Sequence, residues 1–136
     1  MLRLEIPNDI FERMVEQAKA EAPVEACGIL AGRNGRVEKL YKMTNTDRSR
    51  CHCMMEAKEQ FAVVKDIRAA GLTMLAIYHS HPETPARPSA EDIRLALTPD
   101  VIYVIVSLRN ADAPAVKGFL INDGTITTVP VEVLNA

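Results

Sequence analysis

The chain has 136 residues, a formal net charge of −2, 48% hydrophobic and 25% charged residues, and 4% aromatics with no tryptophan. A chain of this size can bury about 70% of its unfolded surface in one domain. Its charge balance argues against the basic stripe of a nucleic-acid surface, and its scarce aromatics against a stacking platform for single strands. No apolar run approaches the roughly 18–20 residues that cross a bilayer. The opening MLRLEIPNDIFERM has no apolar h-region with a small-residue cleavage site, so neither a signal peptide nor a membrane span is expected, and the expected compartment is the cytoplasm. There Cys27, Cys51 and Cys53 default to free thiols.

No repeat, low-complexity tract or linker interrupts the chain, so residues 1–136 read as a single domain. Leu2 to Ile6 alternates apolar and polar, the pattern of a strand. Pro7-Asn8-Asp9 offers helix-start chemistry, and Ile10, Phe11, Met14, Val15 and Ala18 recur at helical spacing, which predicts an amphipathic helix over Asn8–Glu21 ended by Ala22-Pro23. Cys27 to Ala31 reads as a short buried strand. Gly32-Arg33-Asn34-Gly35 is a hairpin turn, and Arg36 to Met43 the returning strand. Thr44 to Cys53 is polar and irregular. Glu56 to Ala70 carries Phe61, Val64, Ile67 and Arg68 on a helical period, with Gly71 as its stop.

Thr73 to His79 is a continuous apolar run of the kind that forms a central strand. Ser89 to Leu97 predicts a short helix, and Val101 to Leu108 a β-branched strand. Val116–Ile121 and Thr125–Val133 flank Asn122-Asp123-Gly124, a strong hairpin signal. The sum is an α/β (mixed α+β) chain: a curved mixed sheet packed by two longer helices and one short helix.

The chemistry concentrates in YHSHPETPARPSAED, from Tyr78 to Asp92. Residues two apart on a strand share a face, so His79 and His81 can turn their imidazoles to one ion. Three prolines stiffen the loop that follows, and Asp92 stands in the first turn of the next helix, where its carboxylate can supply a third ligand. Two histidines, one carboxylate and an open position form a catalytic zinc donor set, whereas structural zinc sites are usually closed by four protein ligands. Each fragment has a plainer reading. Ser89 and Asp92 also match a capping box, and His-x-His also suits two exposed histidines at a strand end. Glu25, which leads into a buried strand in PVEACGILAG, is costly there unless paired, hydrogen-bonded or solvated; it also suits an edge facing water.

Together, Glu25, His79-Ser80-His81, seven residues, Ser89, two residues and Asp92 resemble the signature of the JAMM zinc metalloproteases, also called MPN domains. The resemblance covers almost the whole chain. GILAG, GLTMLAIYHSHP, PARPSAEDI and YVIVSL are similar to segments of the small bacterial and archaeal members, and none of the five motif positions departs from the pattern. The segment Cys51-His52-Cys53-Met54-Met55 does diverge, since relatives more often carry an aromatic there, and this bears on the rim of the cleft.

The resemblance implies a cytidine-deaminase-like fold, with one catalytic Zn²⁺ on His79, His81 and Asp92. It makes Glu25 the general base and Ser89 a stabiliser of the oxyanion. A deaminase itself would need a Pro-Cys-x-x-Cys segment, which the chain lacks. The implied reaction is hydrolysis of a peptide or isopeptide bond. The compact form resembles the prokaryotic class associated with ubiquitin-like sulfur-carrier proteins that end in Gly-Gly, so the expected partner is such a carrier and the expected act is trimming its C-terminal tail.

Three rival readings stand beside this one. Cys51 and Cys53 can reach one ion from an extended segment, but His52 would then point away, which favours a structural or incidental role. Cys27 with His79 makes a cysteine-protease pair that leaves Ser89 and Asp92 unexplained. A non-enzymatic MPN-type scaffold, with metal bound but little activity of its own, is the alternative from another functional class.

Overall fold

The computed structural model describes residues 2–98 and 100–135. Its elements are β1 (Leu4–Pro7), α1 (Asn8–Glu21), β2 (Cys27–Arg33), β3 (Arg36–Met43), α2 (Ala57–Ala69), β4 (Thr73–His81), α3 (Ala90–Leu95), β5 (Ile102–Ser107), β6 (Ala115–Asn122), β7 (Thr125–Val129) and β8 (Val131–Leu134). The eight strands form one mixed sheet in the order β7-β6-β5-β4-β2-β3-β1-β8. β4 and β5 run parallel at its centre, and β1 pairs parallel with both β3 and β8.

Alternation along the strands creates two apolar faces. One turns Leu30, Ala76, Tyr78, Val104 and Val106 towards Ile10 and Met14 of α1. The other turns Ile29 towards Ile67 of α2, and Tyr103 and Ile105 towards Ile93 of α3. β5 is therefore buried at every position, as expected of a strand covered on both sides. His79 and His81 share the parity of Ile77, so they belong to the α2/α3 face.

The two hairpins have the backbone their sequences require. Asn34 and Gly35 take φ of 52° and 77°, and Asp123 and Gly124 take 48° and 81°, the positive pair of a type I′ turn. A bulge near Leu30–Gly32 shifts the register of β2 against both neighbours, which bends the strand. Gly28 serves a different end. A Cβ there would stand 2.3 Å from the Tyr78 ring, so the absence of a side chain lets that ring lie across β2.

Among the boundaries that differ from expectation, β2 runs two residues further, to Arg33, and four others bear on the fold. Thr125–Val133 is two strands, because Pro130 has no N–H to continue the ladder. Beyond it the chain passes straight into Val131–Leu134, which pairs with Leu4–Pro7, because the sheet curls until its two ends adjoin: Val131 lies against Gly118 of β6, and Leu4 N donates to Pro130 O at 2.9 Å. The first strand starts at Leu4, and Leu2 is half exposed. The central strand runs on to His81 rather than stopping at His79. The short helix closes at Leu95, where Ala96 leaves helical geometry at ψ 80°. No described helix is long and apolar enough to cross a membrane.

Helix α2 buries only Ile67 fully, with Val63 packed beside it. Phe61 and Val64, which the helical period placed on the inner stripe, are instead 65% and 38% exposed.

Candidate metal centre

The end of β4 carries both histidines. Cys27 pairs with His79 across β2 and β4, and counting on in the antiparallel sense sets Ala26 against Ser80 and Glu25 against His81. Two bonds lock that continuation: Ser80 N donates to Ala26 O at 2.9 Å, and Ala26 N donates to the Ser80 hydroxyl at 2.8 Å. Sheet pairing thus brings Glu25 to the histidines from a distant part of the sequence.

Asp92 arrives from the other side. Ser89 caps α3, its hydroxyl oxygen accepting from Asp92 N at 3.1 Å, while Ser89 N donates to Asp92 Oδ2 at 3.0 Å. The capping box is therefore real, and it aims the same carboxylate oxygen at the imidazoles. Asp92 Oδ2 lies 3.2 Å from His79 Nε2 and 2.9 Å from His81 Nε2, and the two Nε2 atoms are 3.2 Å apart. Donor atoms held 2.0–2.1 Å from one tetrahedral ion stand roughly 3.3 Å from each other. His79, His81 and Asp92 are the one group among the described residues whose ligand atoms converge in this way.

The protonation pattern supports a cation here. His81 Nδ1 lies 2.8 Å from the Pro85 carbonyl oxygen, which can only accept. That nitrogen therefore carries hydrogen, and in the neutral ring Nε2 presents its lone pair to the centre. A lone pair facing a carboxylate oxygen at 2.9 Å is repulsive unless a proton or a metal ion lies between them. Burial works against a charged His81 ring, but Asp92 and the Pro85 carbonyl outweigh it and raise its pKa above the ordinary imidazole value. Burial likewise opposes charge on Asp92, yet hydrogen bonds from His79, His81 and Ser89 N hold its carboxyl well below the usual range.

Glu25 is the second sign of an incomplete site. Its side chain is 2% exposed by residue, and its Oε1 is buried with no hydrogen-bond partner. Orphaned buried oxygens are rare because leaving one unpaired costs about 1–3 kcal/mol. Burial first, and then the Asp92 charge, push the Glu25 carboxyl up to about 8, with His81 opposing. The alternative of Glu25 at a solvated edge does not survive this burial. A divalent ion on the three ligands, with water beside Glu25, would satisfy both the crowded lone pairs and the orphaned oxygen.

The segment read as irregular is a braced loop. Buried Asn45 donates from Nδ2 to Glu25 O and His52 O, both at 3.0 Å, and accepts at Oδ1 from Asp47 N and Met54 N. Glu25 N donates to Ser49 O at 2.8 Å. His52 sits between Asp47, at 2.9 Å, and the Ser49 hydroxyl, at 3.2 Å. It is a strut, and Cys51, His52 and Cys53 form no metal cluster. Cys27 is fully buried, and contact with it, then burial, push the Cys53 thiol far above the ordinary range. Neither environment suits a cysteine nucleophile.

Sequence reasoning missed Asn45, whose only signal was its place in a polar tract. It also missed Gln17, which accepts from the Tyr78 hydroxyl and donates to Cys27 O at 3.0 Å. From the centre a groove of about 480 Å³ leads away between Met54, Val64, Leu95 and Leu97.

With this geometry in hand, comparison places the chain among known proteins. The family model described as prokaryotic homologs of the JAB domain matches residues 7–119. A CysO-cysteine peptidase of Mycobacterium tuberculosis is 39% identical over 133 residues, covering 96% of this chain and 91% of the relative. A probable TtuB-protein conjugate cleaving protease of Thermus thermophilus is 35% identical, over 90% of this chain and 79% of its own. A solution structure of a protein from Desulfitobacterium hafniense superposes with a TM-score of 0.90 at 40% identity, covering 98% of this chain and 94% of that one. A JAB1/MPN domain protein from Archaeoglobus fulgidus, at 20% identity, shares the fold with a TM-score of 0.63 over 95% and 97% of the two chains.

Proposed function

Because the chain belongs to the family of prokaryotic homologs of the JAB domain, we propose that it is a one-domain, cytoplasmic, zinc-dependent peptidase that trims the C-terminal tail of a ubiquitin-like sulfur-carrier protein. The observation that carries the reading is the convergence of His79, His81 and Asp92 beside the orphaned, buried oxygen of Glu25. The names of two relatives, a CysO-cysteine peptidase and a TtuB-conjugate cleaving protease, support the substrate class.

His79, His81 and Asp92, whose Nε2, Nε2 and Oδ2 atoms converge, would hold the ion. A Zn²⁺ bound there supplies Lewis acidity, which brings the pKa of water from 15.7 to about 7. Glu25 takes the proton from the attacking water and returns it to the leaving amine. Its carboxylate is fixed in place because the residue's N–H and C=O are tied to Ser49 and Asn45. Ser89 accepts Asp92 N at its hydroxyl oxygen, which leaves its O–H free to donate to the oxyanion of the tetrahedral intermediate. Removing one such donor costs on the order of 10²–10³ in turnover. The apolar groove gives the carrier a surface to rest on while its small tail residues reach the centre.

The test combines elemental analysis with mass spectrometry of a Gly-Gly carrier bearing a C-terminal extension. Wild type should hold about one zinc per chain and release the extension. His79→Ala and Asp92→Ala should fold, lose the zinc and leave the carrier intact. A zinc-loaded wild type that leaves every such carrier intact would refute the peptidase reading.

A further inference from the structure

Arg50 and Glu83 form an ion pair, Arg50 Nη2 donating to Glu83 Oε1 at 2.8 Å. Each belongs to a segment that builds the centre. Arg50 follows Ser49, whose carbonyl fixes Glu25 N. Glu83 stands two residues beyond His81, on a loop pinned by the bonds of Thr84 O to the Ser107 hydroxyl and Pro85 O to His81 Nδ1. The pair therefore ties the segment that holds Glu25 N to the loop that follows His81. Both side chains are largely exposed, at 64% and 69%, so the ion pair contributes little to stability.

The loop that presents Arg50 is more ordered than an exposed pair requires. Asn45 bonds the loop at both ends, the Ser49 hydroxyl accepts Cys51 N at 3.0 Å, and Thr46 donates to Met54 O at 3.0 Å. Arg50 stands at the turn of this braced loop. Its guanidinium has five N–H donors, and the bond to Glu83 occupies one, which leaves a free edge for a second, bidentate anion.

We propose that Arg50 reads the free α-carboxylate of a single residue leaving from the carrier tail, and so determines specificity for a one-residue C-terminal extension. This rests on the peptidase reading above. When one residue leaves, its carboxylate carbon is two bonds from the scissile nitrogen, so the group that reads it must come from a segment near the base, and Arg50 follows the residue whose carbonyl holds Glu25 N. A longer extension or an isopeptide-linked protein places no carboxylate there. Arg50 binds and positions the leaving residue and takes no part in proton transfer.

The experiment uses the zinc-loaded full chain and two semisynthetic carriers ending in Gly-Gly-Cys, one with a free C-terminal carboxylate and one with a C-terminal amide. Wild type should cleave the acid with kcat/KM at least about tenfold above the amide, the scale of one charge-assisted contact. Arg50→Ala should lower the acid rate to that of the amide and leave the amide rate within twofold, with zinc content and melting temperature unchanged. Arg50→Lys should keep part of the preference, and Arg87→Ala all of it. Binding supplies a second readout: in a Glu25→Gln background, calorimetry should show the acid carrier bound more tightly than the amide, and Arg50→Ala should erase the difference. Equal cleavage of acid and amide by wild type overturns the proposal and leaves the peptidase reading intact. A preference that survives Arg50→Ala, or is lost in Arg87→Ala, also overturns it. Cleavage of neither carrier sinks the peptidase reading and this inference together.

Discussion

Asp92 Oδ2 accepts the backbone N–H of Ser89 at 3.0 Å and lies 2.9 Å from His81 Nε2, so one oxygen closes the cap of α3 and points into the metal centre. The capping box is observed, and the proposed ligand role uses the same oxygen. Asp92→Asn tests the overlap, because an amide oxygen still caps but is a neutral ligand. Zinc retention should fall to background, and the zinc-free protein should lose stability too, because the neutral amide gives up the charge-assisted bonds from His79 and His81 that hold the Asp92 carboxyl ionised. Ser89→Ala should cost about 1 kcal/mol through the lost cap and on the order of 10²–10³ in turnover. Ser89→Thr should restore both. Metal analysis, urea melts and carrier cleavage measure the three quantities.

Asn45 is buried and uses both ends of its amide, bonding Glu25 O, His52 O, Asp47 N and Met54 N. Asn45→Leu leaves these backbone groups without partners. We expect a loss of about 2–4 kcal/mol: the buried Glu25 carbonyl costs about 1–3 kcal/mol, and the three half-buried groups, which water can reach, add less. Turnover should fall because Glu25 loses its anchor, whereas zinc content should stay near wild type, since no ligand touches Asn45. Denaturant melts and elemental analysis on one preparation separate the two effects. Loss of zinc together with stability would contradict this division of labour.

The contrast between these residues explains what the sequence could disclose. His79, His81 and Asp92 were legible because strand period, a stiff loop and a helix cap are local rules, and each acts within a few residues. Glu25 stood out as a costly carboxylate at the entry to a buried strand, but its role at the centre was legible only through family resemblance, since its place depends on β2 lying beside β4. The role of Asn45 was hidden, because an asparagine in a polar tract gives no sign of the backbone it will gather. The exposure of Phe61 and Val64 went against helical periodicity for a physical reason. Periodicity reports an apolar stripe without saying whether the fold or a partner covers it. Likewise the hairpin signal found β6 and β7, and only the tertiary fold showed that the sheet curls until β8, one residue past β7, pairs with β1.

Gly28 and Tyr78 make a separate prediction about the inner face. A Cβ at Gly28 would overlap the Tyr78 ring at 2.3 Å, and that ring's hydroxyl bonds Gln17. Gly28→Ala should therefore push the ring off its seat, break the Gln17 bond and cost about 1–3 kcal/mol, the usual scale of overpacking. Since Tyr78 adjoins His79, zinc affinity should weaken as well. The companion change Tyr78→Phe keeps the ring in place and removes only the hydroxyl, so it should leave zinc affinity unchanged. Thermal melts and competition with a zinc chelator measure both.

Glu25 gives the zinc-free protein a defined pH dependence. Its folded pKa lies near 8, against an ordinary value of 4.5. Below 4.5 the carboxyl is protonated in both states, and the group brings no penalty. Between the two values the unfolded chain releases the proton while the folded chain retains it, so stability falls as pH rises. Above about 8 the folded protein carries an unpaired buried charge and the loss is complete. Urea midpoints of the zinc-free wild type should therefore drop relative to Glu25→Gln from pH 5 to pH 8, by a difference of the order of a few kcal/mol. The difference between the two proteins matters, because it cancels every other titrating group they share. Zinc should flatten the slope, since a cation beside Glu25 favours its carboxylate. Parallel curves for wild type and Glu25→Gln would mean that Glu25 is solvated in the folded protein, and its assignment as the buried base would fail with them.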